Sequence, residues 1–148
     1  MSKIKTILVA VVAAASLNLS PAIATPENDA FLDHGYSLIQ QNRLPEAHSI
    51  FSAAIKVNPN DPEGWVGMGE VFTFSWEWEK AYDCFVVAIN LNPTESYPWY
   101  GASVAQAFLG NYPSALGLVE QAMTLNPIEP NYFELHEVLL DKMGTASL

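Results

Sequence analysis

Apolar residues recur at three- and four-residue steps along most of this chain, the spacing of one buried helix face. Trp65, Met68, Gly69 and Phe72 follow that step and predict a helix. After a polar break near Ser75 to Trp78, Ala81, Phe85 and Ala88 predict a second one. Asn92-Pro93 then stops it, because proline disfavours the α conformation in the residue before it. Helix starts are signalled too. Thr25-Pro26 and Asp61-Pro62 pair a capping side chain with proline in the first turn. Pro45 and Pro113 open further helices, after Leu44 and Tyr112.

This helix-turn-helix pattern repeats every 34 residues. Phe31, Trp65, Trp99 and Phe133 form one column, Ala47, Ala81 and Ala115 another, and Ala54, Ala88 and Ala122 a third. Asn58-Pro59, Asn92-Pro93 and Asn126-Pro127 form a fourth, and Gly35 matches Gly69 as Phe51 matches Phe85. A period of this length belongs to a stacked array in which each unit buries its apolar face on the next. The glycine and alanine columns let the two helices of a hairpin approach closely, and the aromatics fill the wider gaps between hairpins.

These residues resemble the tetratricopeptide repeat family, whose 34-residue pattern joins an early Trp, a Leu-Gly pair, a later Tyr, then Ala, Phe, Ala and a closing Pro. The stretch from Trp65-Val66-Gly67-Met68-Gly69 through Ala81, Phe85, Ala88 and Pro93 is the best copy. The first copy has Phe31 for Trp and His34 for Leu, and the third has Ser103 for Gly and Val119 for Phe. The resemblance implies an all-α, right-handed superhelical array of three repeats, at 28–61, 62–95 and 96–129. A helix over 130–143 is expected to cap it, with Phe133, Val138, Leu140 and Met143 as apolar members and Gly144 as its stop.

The first 24 residues stand apart from the array. Lys3 and Lys5 precede the unbroken apolar run Ile7 to Ala15, Ser20-Pro21 breaks the helix, and Ala22-Ile23-Ala24 has the form of a cleavage site. A secretory signal removed after Ala24 is expected. A spanning helix needs about 20 apolar residues, and this run meets Asn18 and Pro21 too soon. The single cysteine, Cys84, suits an oxidising compartment, since it cannot mispair within its own chain. The array has no Asn-x-Ser/Thr acceptor. The periplasm of a bacterial envelope is the expected location.

Composition narrows the functional classes. Sixteen acids against six bases leave a formal net charge of −10, which excludes the basic face that nucleic acid requires. A cysteine zinc site is excluded by count. No phosphate loop, nucleophile elbow or oxygen-rich calcium loop is present, so neither an enzyme nor a cofactor is expected. His34 and His136 fall at positions that are apolar in the family pattern and are expected to be partly buried. Cys84 aligns with Ile50 and Leu118 and is expected to be an inert, buried thiol. Asp61, Glu63, Glu95 and Glu129 gather where first helices start, opposite the positive end of the dipole.

Binding is the remaining class, and the resemblance implies a concave surface lined by first helices. Helical projection puts Leu32, Tyr36, Ile39 and Gln40 there from the first repeat, Val66, Glu70, Thr73 and Phe74 from the second, and Tyr100, Val104, Ala107 and Phe108 from the third. Tyr36, Phe74, Tyr100 and Phe108 are expected to form one continuous aromatic strip. Members of the family that grip acidic chaperone tails use a Lys and Arg clamp on this face, and it is missing here. The surface therefore suits an apolar or basic segment of a protein partner. A scaffold or adaptor is the leading expectation, with a chaperone that shields an apolar segment as the alternative. A homodimer buried on the same apolar face is a further possibility. Trp76 and Trp78 lie in the second repeat's turn, where a tryptophan is expected to be partly exposed.

Overall fold

The computed structural model describes residues 26–144, and side chains from residue 30 onward. The expected signal segment, 1–24, lies outside the described residues. Seven helices follow one another among them: α1 Pro26–Gln40, α2 Leu44–Val57, α3 Pro62–Phe74, α4 Trp78–Leu91, α5 Ser96–Phe108, α6 Tyr112–Leu125 and α7 Pro130–Lys142. They pair as the hairpins α1–α2, α3–α4 and α5–α6, with α7 packed on α6 and α5. The hairpins stack as a right-handed superhelical array.

Both kinds of turn follow from local sequence. At the ends of α1, α3 and α5 the chain passes through Asn42, Trp76 and Gly110, all with positive φ. The next backbone N–H reaches back five residues, Arg43 to Leu38, Glu77 to Phe72 and Asn111 to Gln106, each at 2.9 Å. That is the Schellman way of satisfying the last carbonyls of a helix. The second helices end at Asn58, Asn92 and Asn126, held extended by the following proline. Each asparagine side chain accepts the N–H two residues on, at 3.3 to 3.4 Å, starting the next turn. Trp65 Nε1 and Trp99 Nε1 then donate to the carbonyls of Pro59 and Pro93, at 3.0 and 3.1 Å, strapping each linker to the helix it feeds. Asp61 caps α3 by accepting from the N–H of Glu63.

The core is a row of phenyl rings seated on glycine. Phe51 and Phe85 are fully buried. A Cβ at Gly35 would meet the Phe51 ring at 2.6 Å, and one at Gly67 would meet it at 2.0 Å. Phe85 is flanked in the same way by Gly69 and Gly101, at 3.0 and 2.6 Å. Each ring therefore needs a glycine from its own hairpin and one from the next. The third hairpin changes all members together. Val119 replaces the ring, Ser103 and Leu135 occupy the register positions of the two glycines, and all three are buried. The Ser103 hydroxyl donates to the Ala115 carbonyl at 2.6 Å, so its polarity is satisfied inside the core.

Two expectations about individual side chains are corrected. In α7 the buried members are Tyr132, Leu135, Val138 and Leu139, whereas Phe133 and Met143 are exposed. The stripe is rotated because α7 packs on both helices of the last hairpin, so positions facing α5 and α6 matter more than the column of Phe31, Trp65 and Trp99. His34 is exposed, since among the described residues no hairpin precedes α1 to cover it. His136 is partly buried, its Nε2 3.6 Å from Glu120 Oε1.

Candidate functional site

Helices α1, α3, α5 and α7 each touch the next in that series, but α2, α4 and α6 do not touch one another. Closer spacing on the first-helix side curves the array towards it. The inner face is thus built by α1, α3, α5 and α7.

The residues projected onto that face separate into two groups. Leu32, Ile39, Val66, Glu70, Thr73, Tyr100, Val104 and Ala107 are buried, with Tyr100 at 0% exposure and Glu70 at 4%. Tyr36, Phe74 and Phe108 are half-buried, and Gln40 is exposed. The expected continuous strip is therefore replaced by rings committed to separate neighbours. Tyr36 meets Phe51 edge-on at 5.1 Å, and Tyr100 tilts against Tyr132 at 4.8 Å. Phe108 stacks on Trp78 at 3.9 Å. Projection treats each helix as an isolated cylinder, whereas adjacent first helices cover one another's flanks.

One end of the inner face is aromatic and open. Trp76 is 51% exposed and stands edge-on to both members of the Trp78–Phe108 stack, at 5.5 and 5.9 Å. Its φ of 62° is a conformation that the array otherwise gives to Asn42, Gly110 and Gly144, one period apart. A bulky residue there costs about 1–3 kcal/mol, and such strain concentrates at functional sites.

The middle of the face is polar. Tyr36 Oη of α1 donates to Glu63 Oε2 of α3 at 3.3 Å. Glu70, two turns along α3 from Glu63, faces the Tyr97 hydroxyl of α5. Burial pushes the Glu70 carboxyl up to about 8, the charge of Glu63 adds to this, and the Tyr97 hydroxyl opposes it. Burial also raises Glu63, against the Tyr36 hydrogen bond and with help from Asp61 and Glu95. The Tyr36 and Tyr97 phenols are held well above their ordinary range, by burial first and by Glu70 next. The Tyr97 hydroxyl is buried against the Glu70 carboxyl, and the Tyr100 hydroxyl is buried without a hydrogen-bond partner.

The sequence pattern marks Glu63 only as a helix-start acid and does not single out Tyr97. Their signal was present: Glu63 is seven residues from Glu70 on one helix face, and Tyr97 lies one period after Glu63. Cys84 is buried, and burial with the nearby Asp83 carboxylate pushes its thiol up to about 12. No group of three or more His, Cys, Asp or Glu among the described residues could hold a metal ion. No helix among them is long and apolar enough to cross a membrane.

An array of helical hairpins with this period, these turns and this curvature is the tetratricopeptide repeat fold. No sequence-family model matches the chain, and no curated protein matches it. Solved structures do. The tetratricopeptide repeat domain of Sgt2 from Aspergillus fumigatus superposes with a TM-score of 0.79 at 19% identity, covering 86% of this chain and 87% of that one. The first such domain of Spaghetti (RPAP3), bound to the HSP90 peptide SRMEEVD, gives 0.78 at 13% identity, over 84% and 99%. MamA from Desulfovibrio magneticus RS-1 gives 0.73 at 15%, over 80% and 67%. At these identities the likeness is one of fold.

Proposed function

We propose that this chain is a non-catalytic protein-interaction module that holds an apolar or basic segment of a partner along its inner face. The observation that carries this reading is Trp76, a large exposed ring kept in a strained conformation beside the Trp78–Phe108 stack. Aromatic anchors of that kind dominate many interfaces. A similar fold holding an HSP90 peptide supports a peptide-like ligand. That peptide is acidic, and the inner face here has the partly exposed Glu63 and no Lys and Arg clamp, which favours the opposite charge.

The leader-like sequence of Met1 to Ala24 supports work outside the cytoplasm, as a scaffold or adaptor in a bacterial envelope. Site-specific photocrosslinkers placed at Phe74 and Trp76 in living cells test both parts. They should trap one protein partner in the envelope fraction, while crosslinkers at the outward-facing Glu79 and Ser49 trap none. Equal trapping at all four positions, or trapping only of cytoplasmic proteins, would overturn the reading.

A further inference from the structure

Helix α7 stands at a first-helix position of the 34-residue period. Each earlier first helix packs along a second helix of its own hairpin. Gly69 faces the Phe85 ring of α4, and the Ser103 hydroxyl donates to the Ala115 carbonyl of α6. One period after Ser103 comes Glu137, and one period after Trp99 comes Phe133. With Leu140, three residues past Glu137, they mark the side of α7 where a second helix would lie. Among the described residues, α7 packs only on α5 and α6. Phe133 is 44% exposed, Ile128 just before the helix 84%, and the Glu137 side chain 75%.

The chemistry of this side points to what covers it. The earlier hairpins put glycine or serine where α7 has Glu137, opposite apolar second helices. A helix of that kind would bury the Glu137 carboxylate without a donor, which is strongly unfavourable. The donor that suits it is on α7 itself. The imidazole of His136 borders the same stripe, with Nδ1 3.9 Å from Glu137 Oε1. Along the helix the order is Phe133, His136, Glu137, Leu140. Laid antiparallel on a copy of itself, this stripe sets Phe133 against Leu140 at both ends. In the middle it sets His136 against Glu137 twice. A surface that complements itself in this way is what a two-fold contact between identical chains requires.

We propose that α7 is a dimer interface, in which α7 of a second copy takes the place that a second helix takes in the earlier hairpins. The two-fold axis passes between residues 136 and 137. Ile128 and Met143, both exposed, extend the apolar contact beyond the two ends of the stripe. One helix per copy makes a small interface, so monomer and dimer exchange with concentration. This interface is separate from the inner face and does not depend on the peptide-binding reading.

Sedimentation of the purified protein at a series of concentrations tests the pairing, with melting temperatures confirming that each variant is folded. Wild-type protein should pass from monomer to dimer as concentration rises. Phe133→Glu, at an exposed site, should weaken the dimer at least about tenfold. His136→Glu and Glu137→His should each weaken it too, since each removes the match across the axis. An equal mixture of those two variants should dimerise at least about tenfold more tightly than either alone, because each copy then supplies what the other lacks. A wild-type protein that stays monomeric throughout would overturn the proposal and leave α7 to a helix of a different protein. A dimer unaffected by Phe133→Glu would overturn it by placing the contact on another face. Charge variants that gain nothing from mixing would overturn the antiparallel pairing.

Discussion

The Trp78 ring lies flat on the Phe108 ring, centroids 3.9 Å apart and planes 7° from parallel. Trp78 opens α4 and Phe108 closes α5, so the stack ties the second hairpin to the third at one end of the inner face. Trp76 stands perpendicular to both rings, with interplanar angles of 81° and 89°. A stacked pair with an edge-on third ring is a favourable aromatic arrangement. It also makes Phe108 a floor for Trp76 rather than part of a strip running down the groove.

Trp76→Gly should therefore separate folding from binding. Relief of the left-handed backbone and loss of two edge-on contacts oppose each other, so stability should change by no more than about 1 kcal/mol. Partner capture should fall by at least about 2 kcal/mol if the ring is a central contact. A thermal melt alongside a capture measurement checks both. Unchanged capture would move the working surface away from this turn.

Glycine positions should divide sharply by what faces them. Gly67→Ala puts a Cβ 2.0 Å from the buried Phe51 ring and should cost at least about 1–3 kcal/mol by overpacking. Gly117→Ala, mid-helix in α6 with nothing within 4 Å, should stabilise by about 0.5–1 kcal/mol. Melting temperatures moving in the same direction for both would contradict the ring-on-glycine core.

Stability should decline as pH rises through the neutral range. Glu70 has a folded value of about 8 against an ordinary 4.5, so the folded state holds its proton more tightly. The stabilising contribution is complete below 4.5 and is lost as pH climbs through 8. Glu63, raised as well, adds a loss of the same sign. Glu70→Gln should flatten the slope between those limits in denaturant titrations at a series of pH values. An unchanged slope would place the titration elsewhere.

Cys84 should react slowly. Burial and Asp83 push its thiol up to about 12, which leaves almost no thiolate at pH 8. A thiol reagent should label it only as the protein opens, and rapidly in denaturant. Rapid labelling of the native protein would mean that α4 exposes this face.

The 34-residue period, the helix pairs and their stops were legible in the sequence because each rests on local chemistry. Asn58-Pro59 ends a helix whatever lies beyond it, and Asp61 caps α3 through an N–H two residues away. Gly35 and Gly69 announced close approach, and the phenyl rings they receive stand 16 residues later in the same repeat. The tertiary structure alone decided which inner-face residues are open. Tyr100 projects inward on α5 like Phe108, yet it is buried against Tyr132 of α7, while Phe108 rests on Trp78 at the start of α4 in the preceding hairpin. The polar cluster is of the same kind, with Tyr36, Glu70 and Tyr97 brought together from three helices. Helical period sets the direction of a side chain from its own axis, but exposure and protonation depend on what neighbouring helices place in front of it.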